Sequence, residues 1–231
     1  MPAETEHHIG GGIGVAVLLG VSGGFVDAFI FLHVVGVFVA NMSGNLIRLG
    51  IASGQGRLSI ALGAGVALVA FMAGVAGATS YVDRRVVRQG AVIGRTIFLT
   101  EAALFIAIGL YIAILHVAFQ ANLSFLNLPI VLAGGIAMGM QAVGLRRVGE
   151  THVSTTYGTG AVVRLSEKLV LAFRQAPRPG DLPRRSTITV LVAVLVAYVA
   201  GAAGASAAGA SPAWLLLPAA IQVAAAILEG R

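Results

Sequence analysis

Long runs without charge constrain this chain more than any other feature of its sequence. Residues 9–26, 58–82, 102–145 and 186–228 contain no Asp, Glu, Lys or Arg. A segment of about 18 or more apolar residues without charge is long enough to cross a lipid bilayer. Only 10% of the chain is charged, whereas a typical soluble domain is about 25% charged. The sequence therefore predicts a multi-pass integral membrane protein rather than a soluble helical one.

Six full spans are predicted, together with two segments that are too short and too polar for an ordinary helical crossing. The predicted fold class is an all-α polytopic membrane protein, in which two broken or re-entrant strand/half-helix segments accompany six transmembrane helices. The whole chain, residues 1–231, forms a single membrane domain. The spans are residues 10–35, 58–82, 96–117, 128–145, 187–206 and 213–228, and the two shorter segments are residues 36–53 and 152–173.

The basic residues predict the orientation of these spans. Arginines cluster between the second and third spans, after the fourth and before the fifth, while residues 118–127 and 207–212 carry no charge. Cytoplasmic loops are enriched in Lys and Arg, which predicts cytoplasmic N- and C-termini. Both short segments must then begin and end on one side of the membrane. In a competing interpretation each segment crosses fully, which would place the arginine-rich residues 174–185 outside.

Two sequence matches in the same order indicate an internal duplication. Residues 68–79 read LVAFMAGVAGAT and residues 195–206 read LVAYVAGAAGAS. Residues 43–49 and 159–165 share the pattern [Ser/Thr]-Gly-x-x-x-Arg-Leu. Repeat one covers about residues 10–118 and repeat two about residues 127–229. Arginines flank opposite ends of equivalent spans, so the two units are predicted to be inverted in the membrane, as in many transporters.

The broken segments are candidate walls of a site at the interface between the repeats. Irregular backbone at membrane depth is tolerated where it is buried in protein or lines a wet cavity. A half-helix that starts after each glycine would point its N-terminus inward, where free N–H groups and the helix dipole favour an anion. Ordinary capped surface loops are the alternative. The predicted substrate-binding residues are Asn41, Ser43, Gly44, Asn45, Arg48, Thr156, Thr159, Gly160 and Arg164.

Three polar residues within predicted spans are candidates for ion coupling or for a structural ion pair. Asp27 is the single charged residue between Ile9 and Ile47, and intramembrane carboxylates are costly and suggest function. It could exchange protons, pair with Arg48 or Arg164, or lie near the outer interface. Gln141 is its proposed equivalent in the second repeat. Glu101 lies early in the third span, where pairing with a cytoplasmic arginine is the alternative.

Several classes of function receive no support from the sequence. The chain has no cysteine, so it has neither a disulfide framework nor a thiolate metal site. His33, His116 and His152 lie near predicted span ends, and none has a second ligand at metal-binding spacing. No histidine is placed to activate Ser22 or Ser43 as a nucleophile. We therefore expect no enzyme activity, no cofactor and no metal, and the net charge of +6 is attributed to cytoplasmic loops rather than to nucleic-acid binding.

Four segments in order carry a resemblance to a known family. They read SGGFVDAFIFL, GVFVANMSGNLIRLG, MGMQAVGLRRVG and TTYGTGAVVRLSE. They resemble the YoaK-like bacterial membrane proteins, a domain family of unknown function, over nearly the whole chain. The resemblance implies location in the bacterial inner membrane. The two strand/half-helix elements are distantly similar to the cores of nucleobase and sulfate transporters.

Together these features predict a small secondary transporter for a small anionic or polar solute, with protons as the candidate coupling ion. A channel of similar architecture is one alternative, and a non-transporting membrane scaffold or sensor is another. The expected partners are the lipid bilayer, the solute and a second copy of the chain in a homodimer.

Overall fold

The fold was analysed in a computed structural model, which describes residues 3–89, 93–145, 159–173 and 184–229. These residues form eight α-helices, a five-residue π-helical turn that continues α1, and a short 3₁₀ turn before α8. The α-helices are α1 (Ala3–Ile30), α2 (Met42–Gly54), α3 (Leu58–Gln89), α4 (Ile93–Leu115), α5 (Leu128–Leu145), α6 (Thr159–Phe173), α7 (Arg184–Ala208) and α8 (Leu216–Glu229); the π turn is Phe31–Val35 and the 3₁₀ turn is Pro212–Leu215.

The prediction of six apolar helices is confirmed. Six helical segments of the described chain are long and apolar enough to cross a membrane. Their limits differ from the predicted ones by a few residues, as expected of helix boundaries read from hydropathy. They are Ile13–Val35, Leu58–Arg84, Gly94–Leu115, Leu128–Leu145, Thr187–Ala208 and Pro212–Glu229.

The first short segment contains the expected helix, which begins at Met42 rather than after Gly44 because Asn41 caps it, but not the expected strand. After the π turn, Gly36 adopts a left-handed conformation with φ of 61°, and the chain runs irregularly to the start of α2 at Met42. No strand occurs in the described parts of the chain. The strand prediction for this segment was wrong because the N–H groups of residues 39–41 donate to the Asp27 side chain instead of to a neighbouring strand. In the second segment, residues 152–158 lie outside the described residues.

Two parallel helix pairs, α1 with α7 and α3 with α5, make the most extensive contacts in the fold. Glycine allows both close approaches. Gly24 lies directly against the backbone of Tyr198, and Gly201 lies against that of Val21. In the other pair Gly139 contacts the backbone of Phe71, and Gly74 contacts that of Ile136. The small-residue stretches that repeat in the sequence are therefore the surfaces on which these helices pack.

Antiparallel contacts join the remaining spans. The N-terminal end of α4 meets the C-terminal end of α8 at Gly94 and Glu229, and the opposite ends meet at Gly109 and Pro212. α4 also packs on α5, and α1 packs on α8. The 118–127 connection lies beside the end of α1, since the N–H of Gln120 donates to the Val34 carbonyl at 2.9 Å. The end of α1, this connection and the start of α3 thus lie on the same side of the bundle.

Candidate functional site

A single buried carboxylate organises the irregular segment between α1 and α2. Asp27 is 2% exposed and lies two turns before the end of the π turn. Its Oδ1 atom accepts the N–H groups of Val39 at 2.6 Å and Ala40 at 2.7 Å, and its Oδ2 atom accepts that of Asn41 at 3.1 Å. The hydroxyl of Tyr198 on α7 donates to Oδ2 at 2.6 Å. Four donors therefore surround the carboxylate, and none of them belongs to an arginine.

Asparagine side chains complete the hydrogen bonding of this segment. Asn41 caps α2, because its Oδ1 atom accepts the N–H of Gly44 at 3.1 Å and the hydroxyl of Ser43 at 2.8 Å. Asn45 is fully buried. Its side chain accepts the N–H of Phe38 at 3.0 Å and donates to the carbonyl of the same residue at 2.6 Å. The N-terminus of α2 is thus satisfied by the chain itself, with Asp27 as the nearest negative charge.

Arg48 lies on another face of α2 and lines a cavity. Its guanidinium carbon is 5.7 Å from the centre of the Phe31 ring, a cation–π distance, and it packs against Gly36. The Nε atom is buried and has no hydrogen-bond partner among the described residues. The cavity measures about 290 Å³, and its wall also includes Gly44 and Arg57. A volume of this size admits a small solute, and two guanidinium groups favour an anionic one.

The second short segment is described from Thr159 onward. Thr156 lies outside the described residues, and of Thr159 the backbone is described, as the first residue of α6. Gly160 is partly buried, and so is Arg164 one turn later. α6 packs on α7, whereas α2 packs on α3. The structure therefore brings Asn41, Ser43, Gly44, Asn45 and Arg48 together, and it places the corresponding residues of the second segment on a different helix pair.

Gln141 belongs to a second polar cluster inside the bundle, and Glu101 is buried on α4. The Gln141 side chain donates to the carbonyl of Leu19 at 2.9 Å and accepts from Gln222 at 2.8 Å. Gln222 also lies 3.3 Å from the hydroxyl of Ser22. Glu101 is fully buried, and neither of its carboxyl oxygens has a hydrogen-bond partner in the described parts of the chain. Pairing of Glu101 with a described arginine is therefore not observed.

Tyr198 and Gln222 were not predicted as functional residues, and Ser22 was considered only as a nucleophile. Each is a polar residue in an otherwise apolar span, which is the signal that could have identified them. Their partners lie 171 and 200 residues away for the Tyr198–Asp27 and Gln222–Ser22 contacts. Such pairs cannot be read from spacing along one chain.

The histidines that the structure describes are not arranged as a metal centre. His33 lies 3.4 Å from the carbonyl of Ala205 and packs on the Phe29 ring. His116 follows the last residue of α4 and has a φ of 48°, and His152 lies outside the described residues. Within the described ranges, no group of three or more His, Cys, Asp or Glu side chains is placed to hold a metal ion.

Six apolar helices with carboxylate and amide side chains buried between them define a multi-pass membrane protein. The chain belongs to the family described as Protein of unknown function (DUF1275), whose model matches residues 15–228. This membership agrees with the resemblance of four of its segments to the YoaK-like proteins. No curated protein and no solved structure matches the chain.

Proposed function

We propose that this protein is a small secondary transporter for a small anionic or polar solute. The observation that carries the proposal is the cavity beside α2, in which the buried Nε atom of Arg48 has no partner among the described residues. A buried guanidinium N–H without an acceptor is costly, and an anion in the cavity would satisfy it. Arg57 adds a second positive charge to the same wall.

The geometry of the α1–α2 segment supports a re-entrant path. Asp27 precedes Val35 by eight residues, or about 12 Å at 1.5 Å per residue. Because residues 39–41 bond to Asp27, the chain returns by about that depth before α2 begins. The hydrogen bonds to Asp27 and Asn41 satisfy the backbone there, as irregular backbone at membrane depth requires. A cavity next to such a segment is the usual location of a solute site in transporters.

Helix directions support the inverted repeat. α5 is the counterpart of α1, and the two run antiparallel, since Gln141 contacts Leu19 whereas Gly134 lies near Ile30. α8 is the counterpart of α4, and those two are also antiparallel. The helix contacts obey the same symmetry. If α5 replaces α1 and α3 replaces α7, the α1–α7 contact becomes the α5–α3 contact, and both are present. A pseudo-twofold axis perpendicular to the helices would produce this arrangement.

The same contacts support a register between the proposed repeats that differs by one residue from the sequence comparison. Gly24 and Gly139 make corresponding contacts with α7 and α3. Counting three residues onward places Ala142, rather than Gln141, at the position of Asp27. Tyr198 corresponds to Phe71 in the repeated stretches. The Asp27–Tyr198 hydrogen bond therefore corresponds to an apolar pair, Ala142 and Phe71. The two ends of the transport path would then open with different free energies.

A flux assay in proteoliposomes tests the proposal. The panel would contain labelled sulfate, phosphate, acetate and nitrate, with wild type, Arg48→Gln and Arg95→Gln compared. We expect saturable uptake of at least one anion by the wild type. Arg48→Gln should reduce its kcat/KM about tenfold or more, because a charge-assisted hydrogen bond contributes roughly 1.5–3 kcal/mol.

Arg95→Gln is the matched control, since Arg95 is exposed at the start of α4 and is outside the set of residues that lines the cavity. It should transport like the wild type. No uptake of any anion would contradict the transporter, and uptake that does not saturate would favour a channel. Equal uptake by Arg48→Gln and Arg95→Gln would show that the solute does not bind in the cavity lined by Arg48.

A further inference from the structure

Two buried residues, Gln222 on α8 and Glu101 on α4, have side-chain oxygens without a hydrogen-bond partner in the described parts of the chain. Gln222 uses its Nε2 atom on Gln141 and Ser22, but its Oε1 atom has no partner among the described residues. Both carboxyl oxygens of Glu101 also lack a hydrogen-bond partner among the described residues, and Glu101 is 0% exposed. Buried polar atoms without partners are rare in folded proteins, and each requires an explanation.

Helical periodicity places Glu101 opposite Gln222. α4 and α8 are antiparallel and touch at Gly94 and Glu229, where the Glu229 carboxylate accepts the Gly94 N–H. Glu101 lies seven residues after Gly94, and Gln222 lies seven residues before Glu229. Seven residues are about two helical turns, so each returns to the same face of its helix. The unsatisfied carboxyl group and the unsatisfied amide oxygen are therefore at the same level of the same interface.

We propose that Glu101 is a proton-binding site: in this conformation its side chain is a carboxylic acid that donates its O–H to the Oε1 atom of Gln222. Two facing acceptors need one proton between them, and a single proton on Glu101 satisfies both the acid and the amide. A divalent cation such as Ca²⁺ or Mg²⁺ fits less well, because it takes about six or more oxygen ligands, whereas Glu101 and Gln222 together offer three oxygens without partners among the described residues.

Asp27 and Glu101 differ in the way that this assignment requires. Asp27 is held by four donors, which stabilise an ionised carboxylate. Glu101 has no donor among the described residues, and an isolated buried carboxylate is far more costly than a neutral acid. The proton-exchanging carboxyl group is thus Glu101, and the carboxylate that holds the α1–α2 segment is Asp27.

A cavity provides the route for the proton. It measures about 260 Å³ and lies between α3, α4 and α5. Ile97, one turn before Glu101 on the same face of α4, lines it, together with the hydroxyl-bearing residues Tyr81, Thr96 and Thr100. This volume is large enough for several water molecules. A hydronium ion that enters this cavity from the side of the α3–α4 connection and moves past Ile97 would transfer its proton to the Glu101 carboxylate and leave as water.

Few charged groups compete for this proton. α5 and the 3₁₀ turn contain no titratable residue, and the single one in α8 is Glu229, two turns from Gln222. On α3, the groups with described side chains are Tyr81, Asp83 and Arg84, all at the end near the α3–α4 connection. The use of the proton to drive transport rests on the proposed function, whereas its binding to Glu101 does not.

Infrared spectroscopy of the protein in lipid nanodiscs tests the proton directly. The spectrum of Glu101→Gln subtracted from that of the wild type should contain the carbonyl band of a protonated carboxylic acid. Glu229→Gln, which removes a carboxyl group from the same helix interface, should leave that band in place. Gln222→Leu should shift the band to higher frequency, because the acid loses its hydrogen-bond acceptor.

A band that persists in Glu101→Gln, or a wild type without one, would overturn the proposal. An unchanged frequency in Gln222→Leu would overturn the contact with Gln222. Gly77→Phe tests the route, since a side chain at Gly77 would enter the cavity that this residue lines; it should slow hydrogen–deuterium exchange of the acid several-fold, and an unchanged rate would exclude this cavity. If the carbonyl band disappears in Glu101→Gln but the wild type transports no anion, the proton site on Glu101 stands and the proposed transport function is wrong.

Discussion

At the scale of single residues, the fold depends on one carboxylate with many partners. Asp27 joins residues 39–41 to Tyr198, and so connects the α1–α2 segment to the second half of the chain. A charge inside a membrane span is costly, but hydrogen bonds to a carboxylate offset much of that cost. The hypothesis of an Asp27–arginine pair is replaced by a network of backbone donors and one hydroxyl.

The first prediction concerns this network. Tyr198→Phe should lower the free energy of unfolding by about 1.5–3 kcal/mol, the usual contribution of a hydrogen bond to a charged group. Asp27→Ala should lower it further, because three backbone N–H groups and the hydroxyl lose their acceptor. Thermal unfolding in detergent would measure both changes. Tyr111→Phe is the control, and we expect a change within about 0.5 kcal/mol, as for most substitutions that break no contact. Equal effects of Tyr198→Phe and Tyr111→Phe would contradict this role of Asp27.

At the scale of helices, glycine positions decide which surfaces meet. Gly74 and Gly77 belong to the same apolar stretch of α3, yet a Cβ atom at Gly74 would collide with the Ile136 backbone, while one at Gly77 would meet nothing within 4 Å. On α7, a Cβ atom at Gly201 would collide with the Val21 backbone, while one at Gly204 would only reach ordinary contact with the Phe25 ring. Each repeated stretch thus contains one glycine at which a Cβ atom would collide with a neighbouring backbone and one at which a Cβ atom would fit.

This difference leads to a prediction with a built-in comparison. Gly74→Ala should destabilise the protein by about 1–3 kcal/mol, the usual cost of overpacking. Gly77→Ala should be neutral or slightly stabilising, since alanine favours the helix. Gly201→Ala and Gly204→Ala should repeat the result in the second half. Melting temperatures would measure all four, and equal shifts within either pair would show that the close helix contacts do not limit stability.

α2 shows how a helix of mixed character fits this fold. It buries Asn45 and Ala52, and it exposes Leu46, Ile47 and Ile51. In a bilayer those exposed residues would contact acyl chains, which are as apolar as the residues themselves. The helix therefore has a face for lipid, a face for α3 and a cavity lined by Arg48.

At the scale of the whole molecule, the arrangement of helices predicts which connections share a side of the membrane. The start of α3 and the 118–127 connection are neighbours, since Gly63 lies near Leu123. Arg84 lies about seven turns along α3, near the other end of the bundle. With the orientation that the arginines predict, the first two positions face outside and the third faces the cytoplasm.

Cysteine labelling tests this topology, and the chain suits it because it contains no cysteine of its own. Gln55→Cys and Ala121→Cys should react with a membrane-impermeant maleimide in intact cells. Arg84→Cys should react only after the cells are permeabilised. Glu4→Cys, before the crossing of α1, should react like Arg84→Cys. Labelling of Gln55→Cys under the same conditions as Glu4→Cys would show that α2 crosses the membrane, and the re-entrant path would be wrong.

The sequence by itself determined the class of protein and the number of spans. Charge-free runs such as residues 58–82 are most stable in the bilayer, and there a helix satisfies the hydrogen bonds of their backbone. The glycine-rich stretches and an interruption within residues 36–53 were also visible, because repetition and turn-forming residues are local properties. Hydropathy and spacing were sufficient for all of these features. The predicted turn at residues 41–45 was misplaced, since residues 42–45 form the first turn of α2.

The tertiary structure alone decided which polar groups satisfy one another. Asp27 and Glu101 look alike in the sequence, as single carboxylates in apolar surroundings. One is surrounded by donors from residues 39–41 and α7, and the other faces no donor among the described residues. The strand predicted near residue 39 failed for the same reason, since a backbone N–H bonds to the nearest acceptor in space. Hydrogen bonding in a dry interior depends on three-dimensional neighbours, and helix packing alone determines them.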